Sequence, residues 1–243
     1  MVVHFRGCSG EMNLAPRAYF AGDIQDIEFA LTSIRQDLRR IDGGRGPLTA
    51  IGVSLGGNAL ARWAGERGPD AGAWLDSLIA VSAPFDLSAS GQAIDHGVNR
   101  LIYGQLFLST MKQKARLKAG QYPGLFDLDR VLRARTLREF DDAFTAPLHG
   151  YRGVDDYWCR ASAKAWLGQL AVPSLLINAH NDPLVPATSL PRADQVSQAV
   201  ELCQPWHGGH VGFTASTRLG LPGEIISFAQ SLCRWAAGTW LRS

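Results

Sequence analysis

Residues 48–58 read Leu-Thr-Ala-Ile-Gly-Val-Ser-Leu-Gly-Gly-Asn, an apolar run that ends in a serine flanked by glycines. The first six residues are typical of a short buried strand, and the residues after Ser54 continue at helical spacing. Gly52 and Gly56 stand two positions before and after Ser54, where side chains would collide in a sharp strand-to-helix turn. This stretch therefore predicts a serine held on a strained turn between a strand and a helix.

Strands and helices alternate on both sides of this turn. We expect further strands at 1–5, 78–81, 172–179 and 199–202, and helices at 23–41, from Ser54 to Gly68, between the last two strands, and at 223–241. Asp23 is expected to cap the helix at 23–41, and Ile226 lies on the apolar face of the last helix. This order predicts an α/β fold with a mostly parallel sheet and helices on both faces.

The stretch 88–165 interrupts the alternation with helical segments and no convincing strand. We interpret it as a helical cap insertion over the carboxyl edge of the sheet, where open α/β sheets bind ligands. The expected organisation is a core at 1–87, the cap at 88–165, and the second part of the core at 166–243.

Composition limits the possible classes of protein. The chain has 243 residues, 46% of them apolar and 19% charged, which is typical of a globular protein. A net charge of +2 gives no signal for nucleic acid binding. The basic side chains Lys112, Lys114, Arg116 and Lys118 alternate at a spacing of two, so they cannot share one helical face, and we expect them on a solvated surface.

Targeting and metal-binding signals are weak. The four cysteines form no C-x-x-C pair, and the sequence has neither a signal peptide pattern nor an apolar run of membrane-spanning length. The pairs Asp141-Asp142 and Asp155-Asp156 have no suitably spaced partner ligands, so capping and surface roles are expected for them. We expect a cytoplasmic protein without a metal, a cofactor or a transmembrane segment, and the oligomeric state stays open.

A serine on such a turn suggests a triad in the chain order Ser, Asp or Glu, His. Asp182 follows the strand at 172–179 and is the expected acid, although Asp before proline is also a common turn residue. His207 and His210 both lie in a glycine-rich loop after the last strand, and we favour His210 because it lies deeper in the loop. The N–H of Leu55, at the start of the following helix, is the expected oxyanion donor.

Several motifs together resemble the YheT-like branch of the α/β-hydrolases. They are His4-Phe-Arg-Gly-Cys-Ser-Gly-Glu11, Gly52-Val-Ser-Leu-Gly-Gly-Asn58, Val81-Ser-Ala-Pro-Phe85, Phe140-Asp-Asp142, Ala146-Pro-Leu-His-Gly150 and Gly208-Gly-His-Val-Gly-Phe213. The resemblance implies an esterase that acts on small-molecule or lipid esters, with Ser54, Asp182 and His210 as its triad. Related eukaryotic members include lipases and phospholipases.

The same resemblance implies that an N-terminal segment of the family is missing from this sequence. That segment supplies early strands, one of which would lie beside the strand at 48–53, and a loop with a second oxyanion N–H. Loss of one such donor costs about 3–4 kcal/mol of transition-state stabilisation. Two functions are therefore expected: a carboxylic-ester hydrolase, or a truncated, impaired or non-catalytic binding protein that retains the triad.

An apolar stretch in the cap suggests where an acyl chain would bind. Leu106 and Phe107 belong to this stretch, which precedes the basic residues. We expect both side chains to line an acyl-chain site beneath the cap.

Overall fold

The fold is built on a parallel four-stranded sheet, seen in a computed structural model that describes residues 1–44, 46–213 and 228–240. The strands are β1 (Thr49–Val53), β2 (Ser77–Val81), β3 (Ser174–Ile177) and β4 (Val200–Cys203). They lie in the order β1-β2-β3-β4, and every neighbouring pair is parallel. This architecture confirms the predicted α/β class and its parallel sheet.

Helices precede, connect and follow the strands. The α-helices are α1 (Ile24–Asp42), α2 (Leu55–Arg67), α3 (Leu87–Asp95), α4 (Gly97–Asn99), α5 (Gln105–Gln121), α6 (Leu128–Arg133), α7 (Leu137–Phe140), α8 (Ala146–Leu148), α9 (Val154–Ala161) and α10 (Phe228–Trp240). Two π-helical turns cover Arg100–Gly104 and Asp141–Thr145. In the described ranges, no helix is long and apolar enough to cross a membrane.

The region 88–165 contains α-helices and π-helical turns and no strand. Its boundaries as a cap stay a prediction. The predicted last helix agrees with α10 over 228–240, whereas 223–227, with Ile226, and 241 lie outside the described residues.

The hydrophobic core lies on both faces of the sheet. β2 and β3 are buried along their whole length. On one face, Leu31 of α1 and Trp63 of α2 pack in a cluster with Leu78 of β2. On the other face, Leu232 of α10 packs in a cluster with Ile79, the neighbour of Leu78. Successive side chains of a strand point to opposite faces of the sheet, so the neighbours Leu78 and Ile79 of β2 pack in different core clusters.

A buried amide joins three distant segments. Asn58, in the first turn of α2, is fully buried. Its Nδ2 donates to the carbonyl oxygens of Ala21 at 3.0 Å and Ala161 at 2.9 Å. Its Oδ1 accepts the N–H of Ala163 at 2.9 Å. The N-terminal segment, α2 and the end of α9 are thus fixed to one another at a single point.

Two predicted elements are wrong. Residues 1–5 form no strand, and Met1 and Val2 are 92% and 81% exposed. A strand needs a neighbouring strand for its backbone hydrogen bonds, and within the described part of the chain these residues have none. The expected helix between β3 and β4 is replaced by two 3-10 turns, Ala187–Ser189 and Ala193–Gln195.

β1 forms one edge of the sheet. Its side chains Ile51 and Val53 are 49% and 50% exposed. Among the described residues no strand pairs with its outer side.

Three charged side chains differ from expectation. Asp23 makes no capping hydrogen bond to α1, and its buried carboxylate pairs with Arg17 at 2.9 Å instead. Lys118 is fully buried rather than solvated, because its Nζ donates to the carbonyl oxygens of Asn13 at 2.8 Å and Ala15 at 2.9 Å. Asp141 is buried and has no surface role.

Candidate active site

Ser54 occupies the turn between β1 and α2. Its backbone has φ 52° and ψ −122°, a conformation that side-chain-bearing residues rarely adopt. A Cβ added at Gly52 would lie 2.6 Å from the carbonyl oxygen of Gly56 and 2.7 Å from the Cα of Gly57. The glycines therefore permit the close approach of strand and helix that this turn requires.

An imidazole joins Ser54 to a buried carboxylate. His210 Nε2 lies 2.9 Å from Ser54 Oγ, and His210 Nδ1 lies 2.8 Å from Asp182 Oδ2. A carboxylate only accepts hydrogen bonds, so Nδ1 carries the proton and Nε2 is free to accept the serine hydroxyl. The three residues selected from the sequence are thus brought together as one hydrogen-bond chain.

The carboxylate of Asp182 is held by its own loop. Its side chain is fully buried. Oδ1 accepts the backbone N–H groups of Leu184 at 2.8 Å and Val185 at 3.3 Å, which leaves Oδ2 for the imidazole. The alternative base, His207, is exposed, and the imidazole within hydrogen-bond distance of Ser54 Oγ belongs to His210.

Sequence reasoning missed Asn181, the residue before the carboxylate. Its Oδ1 accepts the N–H groups of Gly208 at 3.0 Å and Gly209 at 2.9 Å. These bonds fix the glycine-rich loop just before His210. A possible signal was its position directly before Asp182, but the acceptor role depends on a loop 27 and 28 residues away.

The N–H of Leu55 stays the predicted oxyanion donor. Leu55 is the first residue of α2, so its N–H has no acceptor within the helix. Leu55 also borders the same cavity as Ser54 and His210. The partial positive charge at the start of a helix favours negative charge at this position.

A cavity of about 1260 Å³ borders Ser54 and extends along β1 and α1, where Ile51 and Ile34 also line it. Apolar side chains from helices of the region 88–165 line it, including Phe107 and Met111 of α5. The expectation for Leu106 is wrong, because this side chain is 60% exposed and does not border the cavity. Neighbouring residues of a helix point in directions about 100° apart, so Leu106 and Phe107 cannot both face the same wall.

Two further titratable groups, the buried Asp141 and the half-buried His149, have shifted pKa values. Burial raises the pKa of Asp141 to about 6, against the opposing effect of hydrogen bonds from Thr145 and Trp158. Burial lowers the pKa of His149 to about 4, with smaller contributions from Arg17 and Arg6. No group of three or more His, Cys, Asp or Glu in the described segments is arranged to hold a metal ion.

Comparison with known proteins gives clear sequence relatives. The chain is 37% identical over 221 residues to the candidate esterase YheT of Escherichia coli, covering 90% of this chain and 63% of YheT. It is 28% identical over 214 residues to the phospholipase ABHD3 of Mus musculus, covering 88% of this chain and 50% of that relative. The chain thus spans half to two thirds of the length of these relatives.

The comparison with solved structures includes a monoacylglycerol lipase of Paleococcus ferrophilus. It has a TM-score of 0.47 and 17% identity, and the match covers 89% of this chain and 76% of that one. No family model matches the chain.

Asn181→Ala should loosen the loop that carries His210, since the N–H groups of Gly208 and Gly209 lose their acceptor. We expect the downfield proton NMR signal of His210 Nδ1–H to broaden or disappear in Asn181→Ala. Asn181→Asp keeps an acceptor oxygen and should retain the signal. An unchanged signal in a folded Asn181→Ala protein would contradict this role.

Asp141→Asn should change how stability depends on pH. Burial raises the pKa of Asp141 to about 6 from the 3.8 of an ordinary aspartate, so the native state binds more protons between these pH values. The contribution of Asp141 to the free energy of unfolding is therefore full below pH 3.8 and is lost as the pH rises through about 6. Relative to Asp141→Asn, the free energy of unfolding of the wild type should fall by up to about 3 kcal/mol between about pH 4 and 7. The measurement is urea unfolding of both proteins across this pH range. Parallel curves of unfolding free energy against pH for the wild type and the variant would contradict the prediction.

Proposed function

We propose that this chain, a homologue of the esterase-family protein YheT and of the phospholipase ABHD3, is a serine hydrolase that cleaves carboxylic esters. The observation that carries the proposal is the hydrogen-bond chain from Ser54 Oγ through His210 to Asp182, with distances of 2.9 and 2.8 Å. The strained turn presents the serine at the cavity, and the buried carboxylate favours one tautomer of the imidazole.

The proposed reaction has two steps. Ser54 Oγ attacks the ester carbonyl while His210 Nε2 accepts its proton, and Asp182 stabilises the resulting imidazolium. The N–H of Leu55 donates to the oxyanion. His210 then returns the proton to the departing alcohol, which leaves an acyl-serine. A water molecule activated by His210 hydrolyses this intermediate and restores the serine.

The proposed substrate carries an apolar acyl chain. Phe107 and Met111 give the cavity beside Ser54 an apolar wall, which suits a chain of several methylene groups. The names of the relatives, a candidate esterase and a phospholipase, agree with acyl esters as a class. Small-molecule and lipid esters both fall within this proposal.

A second candidate is a binding protein that retains the triad but turns over slowly or not at all. The open edge of β1 favours it, because the strand before Ser54 is supported by a neighbouring strand on one side among the described residues. Covalent labelling of the serine separates the two candidates.

A fluorophosphonate probe should label the wild-type protein at Ser54, and Ser54→Ala should abolish labelling. Asp182→Asn should lower the rate of ester hydrolysis by roughly three to four orders of magnitude, because the imidazole loses its preferred tautomer. Ser88→Ala and Asp194→Asn are controls outside the site. A folded wild-type protein that is neither labelled nor active would refute the hydrolase and favour the binding protein.

Phe107→Asp should lower kcat/KM for a long acyl ester relative to a short one by at least roughly tenfold, because it places a carboxylate against the apolar chain. Leu106→Asp is the matched control, since this neighbouring side chain is exposed. The ratio of the two kcat/KM values should therefore stay unchanged in Leu106→Asp. Equal effects of the two substitutions would argue against the assigned acyl site.

A further inference from the structure

A group of apolar side chains, here called the apolar patch, faces solvent between α3 and the middle of α5. It consists of Val98, Leu101, Ile102 and Leu106, which are 68%, 72%, 57% and 60% exposed. The steps from Val98 to Ile102 and from Ile102 to Leu106 are four residues each, so these side chains are neighbours on a helical surface. Single exposed apolar side chains are normal, whereas a contiguous group is typical of an interaction site.

Helix α5 separates the apolar patch from the cavity. Leu117, which is 51% exposed, follows Leu106 by eleven residues, or about three turns, so both lie on the outer face of the helix. Phe107 and Met111 lie on the inner face and line the cavity beside Ser54. One helix therefore has one side toward solvent and the other toward the cavity.

The apolar patch lies in a segment that carries positive charge and no negative charge. Residues 96–126 contain five Lys or Arg and no Asp or Glu. Arg100, within the patch, and Arg116, beside Leu117, are exposed, and neither forms an ion pair with the residues that the structure describes. Exposed apolar side chains next to unpaired cations complement a surface that is both apolar and anionic.

The apolar patch is attached to the loop that carries Asp182. Asn99, between Val98 and Arg100, donates from Nδ2 to the carbonyl oxygen of Pro183 at 2.7 Å. A second exposed apolar group contacts the same loop, since Trp206, which is 71% exposed, stacks on His180 with ring centroids 4.5 Å apart. Tryptophan is favoured at membrane surfaces because its ring is apolar and its N–H is polar. Both exposed groups therefore border the end of the sheet where the triad lies.

We propose that the apolar patch, together with Arg100 and Arg116, docks this protein on the surface of an anionic lipid bilayer. The inference goes beyond ester hydrolysis, because docking requires neither the nucleophile Ser54 nor an ester bond.

The chemistry of the patch selects a lipid surface. A bilayer accepts apolar side chains at the boundary between headgroups and acyl chains, while its phosphate groups attract arginine. Nucleic acid offers phosphates but gives exposed leucine and isoleucine nothing to bury against. Since α5 also forms a wall of the cavity, docking on its outer face brings the cavity close to the bilayer surface.

Flotation with lipid vesicles tests the docking on the full chain. The wild type and Ser54→Ala should both float with vesicles of phosphatidylcholine and phosphatidylglycerol, and much less with phosphatidylcholine alone. Added salt should weaken the binding, because it screens the attraction between the arginines and the lipid. Equal flotation with both kinds of vesicle overturns the proposal. So does a folded protein that floats with neither, and a dimer in that case assigns the patch to a second copy.

Leu101→Asp should lower the partition coefficient by at least roughly tenfold, because it removes a leucine side chain from the lipid and adds a negative charge. Phe29→Asp is the matched control, since Phe29 of α1 is 75% exposed and the change in charge is the same. Both side chains are exposed, so both variants should unfold at the wild-type temperature. Equal losses of binding in the two variants overturn the docking surface.

Arg116→Gln should lower the partition coefficient by roughly fivefold, the effect of one basic side chain near an anionic membrane. Arg39→Gln is its control, because Arg39 is an exposed arginine of α1 and the net charge falls by the same amount. An equal effect of Arg39→Gln would attribute binding to net charge and overturn the assigned surface.

Failure of docking and failure of the hydrolase are seen separately. Leu101→Asp should leave the hydrolysis of an ester dissolved in water unchanged, since Leu101 does not border the cavity. Flotation that depends on Leu101 supports docking even if fluorophosphonate labels no serine. Labelling and hydrolysis without flotation support the hydrolase and overturn docking.

Discussion

The side-chain amide of Asn58 holds together the parts of the molecule that surround Ser54. A buried amide is costly unless all its polar atoms are bonded, and here both its nitrogen and its oxygen are used. The three bonds reach Ala21, Ala161 and Ala163, so they link the N-terminal segment, α2 and the end of α9. Because Asn58 lies four residues after Ser54, the position of the serine relative to the cavity wall depends on these contacts.

The parallel sheet brings the other site residues to the same place. Ser54 follows β1, Asp182 follows β3 and His210 follows β4, and the carboxyl ends of parallel strands meet at one edge. Pairing of β3 with β4 brings Asn181 next to the glycine-rich loop. The site therefore depends on strand order for its location and on a few side-chain hydrogen bonds for its geometry.

Features set by nearby residues could be predicted from the sequence. The turn at Ser54 is an example, because the collisions that require glycine involve residues at most three positions from Ser54 itself. Features that depend on distant partners could not be predicted. An apolar pattern at 1–5 does not reveal whether a neighbouring strand exists. A lysine such as Lys118 looks solvated until carbonyl oxygens about a hundred residues away surround it. The acceptor role of Asn181 was invisible for the same reason.

The open edge of β1 has a consequence for handling the protein. An edge strand presents an unsatisfied row of backbone donors and acceptors, and proteins commonly protect such rows with lysine, proline or a bulge. Here Ile51 and Val53 are half exposed instead. For the part of the chain that the structure describes, such an edge is a template for self-association. Copies that join at this strand do so one residue away from Ser54, so solubility and the integrity of the nucleophile turn are linked.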